Sequence, residues 1–281
     1  MSAVTVDQLA STKGEHDENF PVASWLLRPA VRAPVLAFYR FARAADDISD
    51  HPAASADDKL RLLGEMRAGL TGAGDPRAVA LAATCTARGV PLTHADELLD
   101  AFVQDVRVTR YADWDDLIAY CRLSAMPVGR FMLDVHDEDR ALWPLSDALC
   151  AALQVINHLQ DCGKDYRALD RVYIPLPLLD AAGVPVSALA GKAASPALRG
   201  VIAGLAEQTL GLLDEAAPFA TAIRDVRLSA EVAVIHRLAR DLCAGLTRRD
   251  PLSERVHHGK PRAAWLALGA LAAHAARRLA R

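Results

Sequence analysis

Residues 154–165, QVINHLQDCGKD, contain the pattern from which the fold is most directly predicted. Their polar side chains recur every three or four positions, which is the spacing of one helix face. The members of this polar stripe are Gln154, Asn157, Asp161 and Asp165. Apolar residues such as Leu153, Val155 and Ile156 flank the stripe, so the pattern predicts a helix over about 146–169. Because polar groups inside an apolar helix are costly unless they are satisfied, the stripe predicts a lined cavity.

A second carboxylate pair lies in residues 40–50, RFARAADDISD. Asp46 and Asp50 are four positions apart and share one helix face, where like charges repel. Mg²⁺ relieves such repulsion, since it binds one or two carboxylates together with substrate phosphates. Arg43, one turn earlier, is expected to face the same anionic ligand. Taken alone, the pair also fits a solvated acidic helix end.

Together, the two pairs predict a metal site. Two facing helices would bring four carboxylates around one space, and such a cluster needs cations or protons to be stable. Bridging Mg²⁺ ions also stabilise the charge that develops on a leaving diphosphate. The alternative is two unrelated acidic surface turns.

The remaining chain predicts an all-α protein. Ala and Leu dominate the apolar residues, and both are strong helix formers. Asp75-Pro76, Ser195-Pro196 and Asp250-Pro251 each place an N-cap residue before proline, and Thr93 and Asp113 are further expected helix starts. Pro127 is expected to kink a helix over 114–136. The expected helices cover about 31–51, 56–71, 76–88, 94–109, 114–136, 146–169, 196–217, 220–246 and 261–280.

Composition narrows the class of protein. The formal net charge is −3, so no basic stripe for nucleic acid is indicated. Five irregularly spaced cysteines without a CxxC pair indicate neither a zinc site nor disulfides, and a cytoplasmic location is expected. No secretory signal or membrane span is visible, and the sequence contains no Rossmann, P-loop or HExxH motif. We expect residues 1–18 to form a flexible arm and 19–281 to form one helical domain.

Two further segments are weaker signals. Residues 120–130, YCRLSAMPVGR, combine small residues with a proline, which permits close approach of a ligand or only ordinary helix packing. In residues 171–175, RVYIP, Arg171 is able to bind a phosphate as a planar fork, and Tyr173 to line a pocket. A plain loop after a helix is the alternative.

These four motifs, in this order and spacing, resemble the squalene and phytoene synthase family. The two Asp-rich segments, 46–50 and 161–165, are similar to the two Asp motifs of that family, and the likeness spans about residues 16–260. The resemblance implies the helical isoprenoid synthase fold with a central cavity. Within the family, residues 18–24, 122–129 and 157–165 look like the hydroxysqualene synthase branch of bacterial hopanoid biosynthesis.

Two positions depart from the phytoene and presqualene diphosphate synthase pattern. Those enzymes usually have Arg where Gln160 stands and Glu where Lys164 stands. The resemblance therefore implies conversion of one preformed presqualene diphosphate, with water, to hydroxysqualene and diphosphate. It implies two or three Mg²⁺ ions and no NADPH.

The resemblance also implies residue roles. The expected catalytic and metal-binding residues are Asp46, Asp50, Asp161 and Asp165, with Asn157 as a further metal ligand. The expected substrate-binding residues are Phe20, Tyr39, Arg43, Tyr120, Gln154, Asn157, Arg171 and Tyr173. The expected partners are an isoprenoid diphosphate, the inner membrane face by peripheral contact, and a presqualene diphosphate synthase by functional coupling.

Two alternatives stay open. A presqualene diphosphate, squalene or phytoene synthase of the same fold would condense prenyl diphosphates. A non-catalytic assembly protein of the same fold would not need Mg²⁺ and would tolerate loss of Asp46 and Asp161.

Overall fold

The computed structural model describes residues 5–9 and 28–280, with the side chains of 7 and 8 excepted. These residues form thirteen α-helices. They are α1 (Val6–Leu9), α2 (Pro29–Asp50), α3 (Ala56–Leu70), α4 (Pro76–Arg88), α5 (Thr93–Arg107), α6 (Trp114–Ser124), α7 (Met126–Val135), α8 (Trp143–Leu169), α9 (Leu176–Ala181), α10 (Pro196–Glu215), α11 (Phe219–Ala222), α12 (Val226–Leu246) and α13 (Lys260–Leu279). Short 3₁₀ turns cover Arg140–Leu142 and Val186–Ala190.

The chain divides into two compact units, and neither is continuous in sequence. Unit 1 comprises the described residues up to Val108 together with Pro127–Arg140. In it, α2 packs against α3, α4 and α5, and its Phe38 ring stacks on Phe131 of α7 with centroids 4.0 Å apart. Phe41 and Ile48 of α2 are fully buried in the same core. This packing fixes which face of α2 is left for polar residues.

Unit 2 comprises Thr109–Met126 and Ala141–Arg281 and is organised around α8. Helices α6, α10 and α12 pack against α8, and α13 packs on α12. Val155 and Ile156 of α8 are fully buried, as the flanks of the polar stripe predict.

Four of the expected helix starts are confirmed. Thr93 is the first residue of α5, after Leu92 at the cap position, and the other three starts have side-chain caps. The Asp75 carboxylate accepts a hydrogen bond from the Arg77 backbone N–H at 2.8 Å, and Ser195 Oγ accepts one from Leu198 at 3.2 Å. Before α6, Asp113 accepts from the backbone N–H of Asp116 at 2.8 Å, and the Asp116 carboxylate accepts from the N–H of Ala112 at 2.9 Å. These side chains satisfy backbone donors that the helix itself leaves unpaired.

Other local predictions were wrong. The helix expected over 114–136 ends at Ser124, and Pro127 stands in the first turn of α7, where proline needs no hydrogen-bond partner. Asp250-Pro251 begins a turn in which Asp250 accepts from the N–H groups of Ala194 and Leu252. The helix expected over 220–246 is divided into α11 and α12, and Asp225 caps the second with bonds of 2.9 Å.

The all-α prediction is confirmed: over residues 5–9 and 28–280 the only strand-like pairing is one isolated bridge between Arg110 and Val172. No helix in the same part of the chain is both long and apolar enough to span a bilayer. Within the expected arm, Val6 and Leu9 are buried in the core of unit 1. The division into a 1–18 arm and a 19–281 domain stays a prediction.

Candidate active site

One face of α2 carries the first group of predicted site residues. Tyr39, Arg43, Asp46 and Asp50 succeed one another at intervals of four, three and four, and each is half-buried. The opposite face of the helix is held in the core by Phe38, Phe41 and Ile48. The core therefore orients all four predicted side chains along one accessible stripe.

Charge is crowded at the end of this stripe. Burial and the neighbouring Asp50 raise the pKa of Asp46 to about 7, against the lowering effect of Arg43. Since 39% of the Asp46 side chain remains exposed, water and ions screen part of this repulsion. A positive charge close to both carboxylates would relieve the same repulsion.

Arg43 already has two carboxylate partners. One terminal nitrogen donates to Asp46 at 2.9 Å and the other to Asp47 at 2.7 Å. The guanidinium thus acts as a fork across successive acids of the motif. Its predicted contact with a diphosphate stays a prediction.

Two residues near the first motif were missed from the sequence. Ser49 is fully buried, and its Oγ lies 3.1 Å from the Asp46 carbonyl oxygen and 3.2 Å from Asp50 Oδ1. Asp105 of α5 is only 7% exposed and contributes to raising the pKa of Asp46. Nothing in the local pattern of α5 marks Asp105, because its relation to the first motif comes from packing.

The second group lies along α8. Gln154, Asn157, Asp161 and Asp165 are all half-buried, while the residues between them are largely buried. Lys164 donates to Asp161 Oδ2 at 3.1 Å, with 60% and 41% of the two side chains exposed. Lys164, which stands where phytoene and presqualene diphosphate synthases usually have Glu, therefore supplies positive charge directly beside a predicted metal ligand.

Gln160, the other departure, has a structural role. Its side chain is 6% exposed, and its Nε2 donates to the backbone carbonyl oxygen of Val256. This bond ties α8 to the segment that precedes α13. A neutral amide suits this buried place, because a buried charge would need its own partner.

An aromatic cluster surrounds the middle of α8. The His158 imidazole stacks on Tyr173, with centroids 3.4 Å apart, and Tyr120 lies 5.9 Å from His158 and 5.7 Å from Tyr173. Burial, assisted by the charge of Arg171, lowers the pKa of His158 to about 3, so this ring is neutral. Its Nε2 is buried without a hydrogen-bond partner among the described residues.

Backbone bonds hold the segment after α8 against this cluster. The Val172 N–H donates to the Thr109 carbonyl at 2.9 Å, and the Leu176 N–H to Tyr111 at 3.1 Å. Arg171 and Tyr173 are both buried in this segment, and their contacts with a substrate stay predictions. Unit 2 thus brings Tyr120, Tyr173 and the α8 stripe into one neighbourhood.

The predicted residues fall into two groups, one in each unit. Those on α2 belong to unit 1, and those on α8 and in 171–175 belong to unit 2, as does Tyr120. Phe20 and the whole 18–24 motif lie outside the described residues. Within the described parts of either unit, no three His, Cys, Asp or Glu side chains form a group that could hold a metal ion. The donor types still fit Mg²⁺, which prefers carboxylate and amide oxygens and needs few of them when phosphates are present.

Residues 13–262 match the family model described as squalene/phytoene synthase. The chain belongs to the squalene/phytoene synthase family. It is an enzyme of this family, whose members act on isoprenoid diphosphates. Predictions of the fold, the family and the enzymatic class are thereby confirmed.

Relatives of known name refine the comparison. A hydroxysqualene synthase from Zymomonas mobilis is 53% identical over 268 residues, covering 94% of this chain and 90% of the relative. One from Rhodopseudomonas palustris is 53% identical over 255 residues, covering 90% and 87%. A phytoene synthase from Pseudescherichia vulneris is 31% identical, covering 76% and 71%.

Solved structures agree in fold. Squalene synthase HpnC from Alicyclobacillus acidocaldarius superposes with a TM-score of 0.71 at 30% identity, covering 86% of this chain and 92% of that one. A dehydrosqualene synthase gives a TM-score of 0.78 at 22% identity, covering 95% of each chain, which shows the fold alone.

Proposed function

We propose that this protein converts presqualene diphosphate and water to hydroxysqualene and diphosphate in squalene and hopanoid biosynthesis. The observation that carries the proposal is the 48–53% identity to three hydroxysqualene synthases over at least 90% of the chain. Phytoene synthases match at much lower identity, about 31%. Gln160 and Lys164 add support, because both positions differ from the condensing enzymes and both have specific contacts here.

The diphosphate end of the substrate is assigned to the two polar helix faces. Asp46 and Asp50 of α2, with Asn157, Asp161 and Asp165 of α8, would hold two or three Mg²⁺ ions. Bound Mg²⁺ would neutralise the charge on the departing diphosphate. Arg43 and Arg171 would contact the diphosphate oxygens, and Tyr39 and Phe20 would contact the substrate nearby.

The reaction then balances without a reductant. The bond between carbon and the diphosphate oxygen breaks, and the leaving diphosphate takes the electron pair. The cyclopropylcarbinyl cation rearranges, a water oxygen attacks it, and the proton that the water loses is taken up by the diphosphate. No NADPH is consumed in this sequence.

The aromatic cluster fits the hydrocarbon side of this chemistry. The π faces of Tyr120 and Tyr173 are able to stabilise a nearby carbocation electrostatically. His158 stays neutral, so it adds no positive charge beside that cation. Gln154, on the accessible stripe of α8, would orient groups close to the reacting carbon.

The test compares two substrates. Purified protein with Mg²⁺ and without NADPH receives presqualene diphosphate or farnesyl diphosphate, and mass spectrometry identifies the products. We expect hydroxysqualene from the first substrate, loss of more than about a hundredfold in Asp161→Asn, and no loss in the matched control Asp180→Asn on the exposed side of α9. Presqualene diphosphate or phytoene from the second substrate would show a condensing enzyme instead, and activity without Mg²⁺ would refute the metal assignment.

The predicted surroundings of the enzyme belong to this proposal as well. We expect it to act in the cytoplasm at the inner membrane face, where apolar substrate and product collect, and to receive presqualene diphosphate from a separate synthase.

A further inference from the structure

Unit 2 contains a groove that lies apart from every motif discussed above. It encloses about 490 Å³ between α12, α13 and the segment that joins α10 to α11. Small residues form its floor, among them Ala216, Ala220, Ala233 and Gly269. No residue of α8 or of the 171–175 segment lines it. An apolar floor of this kind favours a hydrocarbon chain over a polar metabolite.

Positive charge surrounds this floor. Arg237, Arg240 and Arg277 line the groove, and Arg240 pairs with Asp214. Across the described residues, neither Arg237 nor Arg277 donates a hydrogen bond or pairs with a carboxylate. Their position beside an apolar floor favours a ligand that has both a chain and an anionic group.

The outward face of α13 adjoins the groove and is apolar. Trp265 and Leu268 are each 68% exposed and Leu279 is 89% exposed, and the helical period places all three on one side with the exposed Ala272. Trp265 also lines the groove, so the two surfaces meet at its indole. The helix carries four basic residues and no acidic residue.

A buried network fixes α13 in this orientation. His274 Nε2 lies 2.8 Å from Ser229 Oγ on α12, and Arg278 donates to the same oxygen at 2.8 Å and to the Ile223 carbonyl at 3.2 Å. Arg278 therefore points inward and anchors the helix, while the preceding residue, Arg277, lines the groove. These bonds hold α13 against α12 and leave its apolar face directed outward.

The arginines of the groove and the exposed apolar residues of α13 together indicate which kind of partner binds here. A second copy of the chain would bring two cationic rims together, which is unfavourable. An acidic peptide would neutralise the arginines but leave Trp265, Leu268 and Leu279 in water. An anionic bilayer satisfies both features, since basic apolar helices with an interfacial tryptophan bind such surfaces.

We propose that α13 and its groove dock this protein on a bilayer that contains anionic phospholipid. The outward face of α13 enters the interface, one lipid acyl chain occupies the Ala-lined groove, and the lipid phosphate lies between Arg237 and Arg277. The proposal does not depend on the reaction proposed above.

Vesicle flotation with the full chain tests it. Vesicles of phosphatidylcholine alone are compared with vesicles that also contain phosphatidylglycerol. We expect binding to the mixed vesicles only, weakened about thirtyfold in the double variant Arg237→Gln/Arg277→Gln, from the contribution of two arginines near an anionic surface. The matched control Arg227→Gln/Arg248→Gln removes two exposed arginines outside the groove and should bind like the unmodified protein.

A second variant tests the groove without a change of charge. A side chain built on Gly269 meets no atom within 4 Å at its first carbon, so Gly269→Leu fills the groove while keeping the helix. We expect Gly269→Leu to weaken binding to the mixed vesicles about tenfold. Insertion is followed separately by a shift in tryptophan fluorescence on vesicle binding, and this shift should be lost in Trp265→Phe. Absence of vesicle binding, equal losses in the control pair, or unchanged binding in Gly269→Leu would each overturn the proposal. A change of oligomeric state in the Arg237→Gln/Arg277→Gln pair would assign the face to a second copy instead.

Discussion

The imidazole of His158 stacks on the phenol ring of Tyr173, with ring centroids 3.4 Å apart and planes 15° from parallel. This contact joins the helix that carries the second Asp motif to the segment that follows it. Each ring is at least nine-tenths buried. The stack therefore links the position of residues 171–175 to that of α8.

Two substitutions at Tyr173 should separate the contribution of the ring to stability from that of the hydroxyl. Tyr173→Ala removes a buried aromatic ring and should lower the free energy of unfolding by about 3–5 kcal/mol. Tyr173→Phe keeps the stack and should change it by less than about 1.5 kcal/mol. Urea denaturation measures both variants, and equal losses would show that the hydroxyl, not the stack, stabilises this segment.

Gly163, inside the second Asp motif, should not tolerate a side chain. A Cβ there would lie 2.9 Å from Leu252 Cδ2, 3.0 Å from the Leu189 carbonyl oxygen and 3.1 Å from Arg167. Gly163→Ala should therefore destabilise the protein by about 1–3 kcal/mol and lower activity by displacing the adjacent Asp161. Thermal denaturation and product assays measure the two effects.

The control for this change is Gly200→Ala in α10. A Cβ at Gly200 meets nothing within 4 Å, so the higher helix propensity of alanine should stabilise this variant by up to about 1 kcal/mol. If Gly163→Ala were equally harmless, the close approach of α8 to Leu189 and Leu252 would not matter.

Arg43 should not be replaceable by lysine. Its two terminal nitrogens bind Asp46 and Asp47 simultaneously, and a lysine ammonium provides a single point of charge. We expect Arg43→Lys to lower kcat/KM about tenfold to a hundredfold, the loss of one charge-assisted hydrogen bond. Arg61→Lys, in an exposed ion pair on α3, serves as the comparison and should leave kcat/KM unchanged.

The buried thiols should be inert at neutral pH. Burial raises the pKa of Cys121 and of Cys243 to about 12 and that of Cys85 to about 11, so these thiols stay protonated. A thiol-specific reagent at pH 8 should label the half-buried Cys150 first in the folded protein. Rapid labelling of Cys243 without denaturant would contradict this.

The same pKa shifts predict alkaline sensitivity. In the unfolded chain these thiols ionise near their ordinary value of 9.0, whereas in the fold they keep their protons to about pH 12. Between those values the folded state binds more protons, so stability must fall as pH rises. Cys243→Ala should show a shallower decrease of melting temperature between pH 9 and 11 than the unmodified protein.

The polar stripes could be predicted because their information is local. Asp46 with Asp50, and Asp161 with Asp165, share a face through helix geometry alone, and apolar flanks announce which side is buried. Gln160 shows the limit, because its partner Val256 is 96 positions away and no periodic pattern connects them. Asp105 was missed for the same reason, since only packing brings α5 close to the first motif.

The errors in helix boundaries come from competition between two local structures, a continued helix and the start of a new one. Pro127 was expected to kink a long helix, but a proline in the first turn of a new helix is less costly than one in a helix interior. The groove beside α13 could not be predicted either. Its Ala and Gly residues have the pattern of an ordinary helix surface, and only the packing of α12 against α13 makes them the lining of a groove.

The discontinuous course of unit 1 has a consequence for synthesis on the ribosome. Phe38 cannot meet its stacking partner Phe131 until the chain has been made well beyond Val108, after α6 of the other unit has already emerged. Domains that fold during translation normally do so as continuous pieces from the N-terminus. Here the Phe38 ring lacks this partner until α7 has been synthesised, so the core of unit 1 cannot be completed from its N-terminal segment alone.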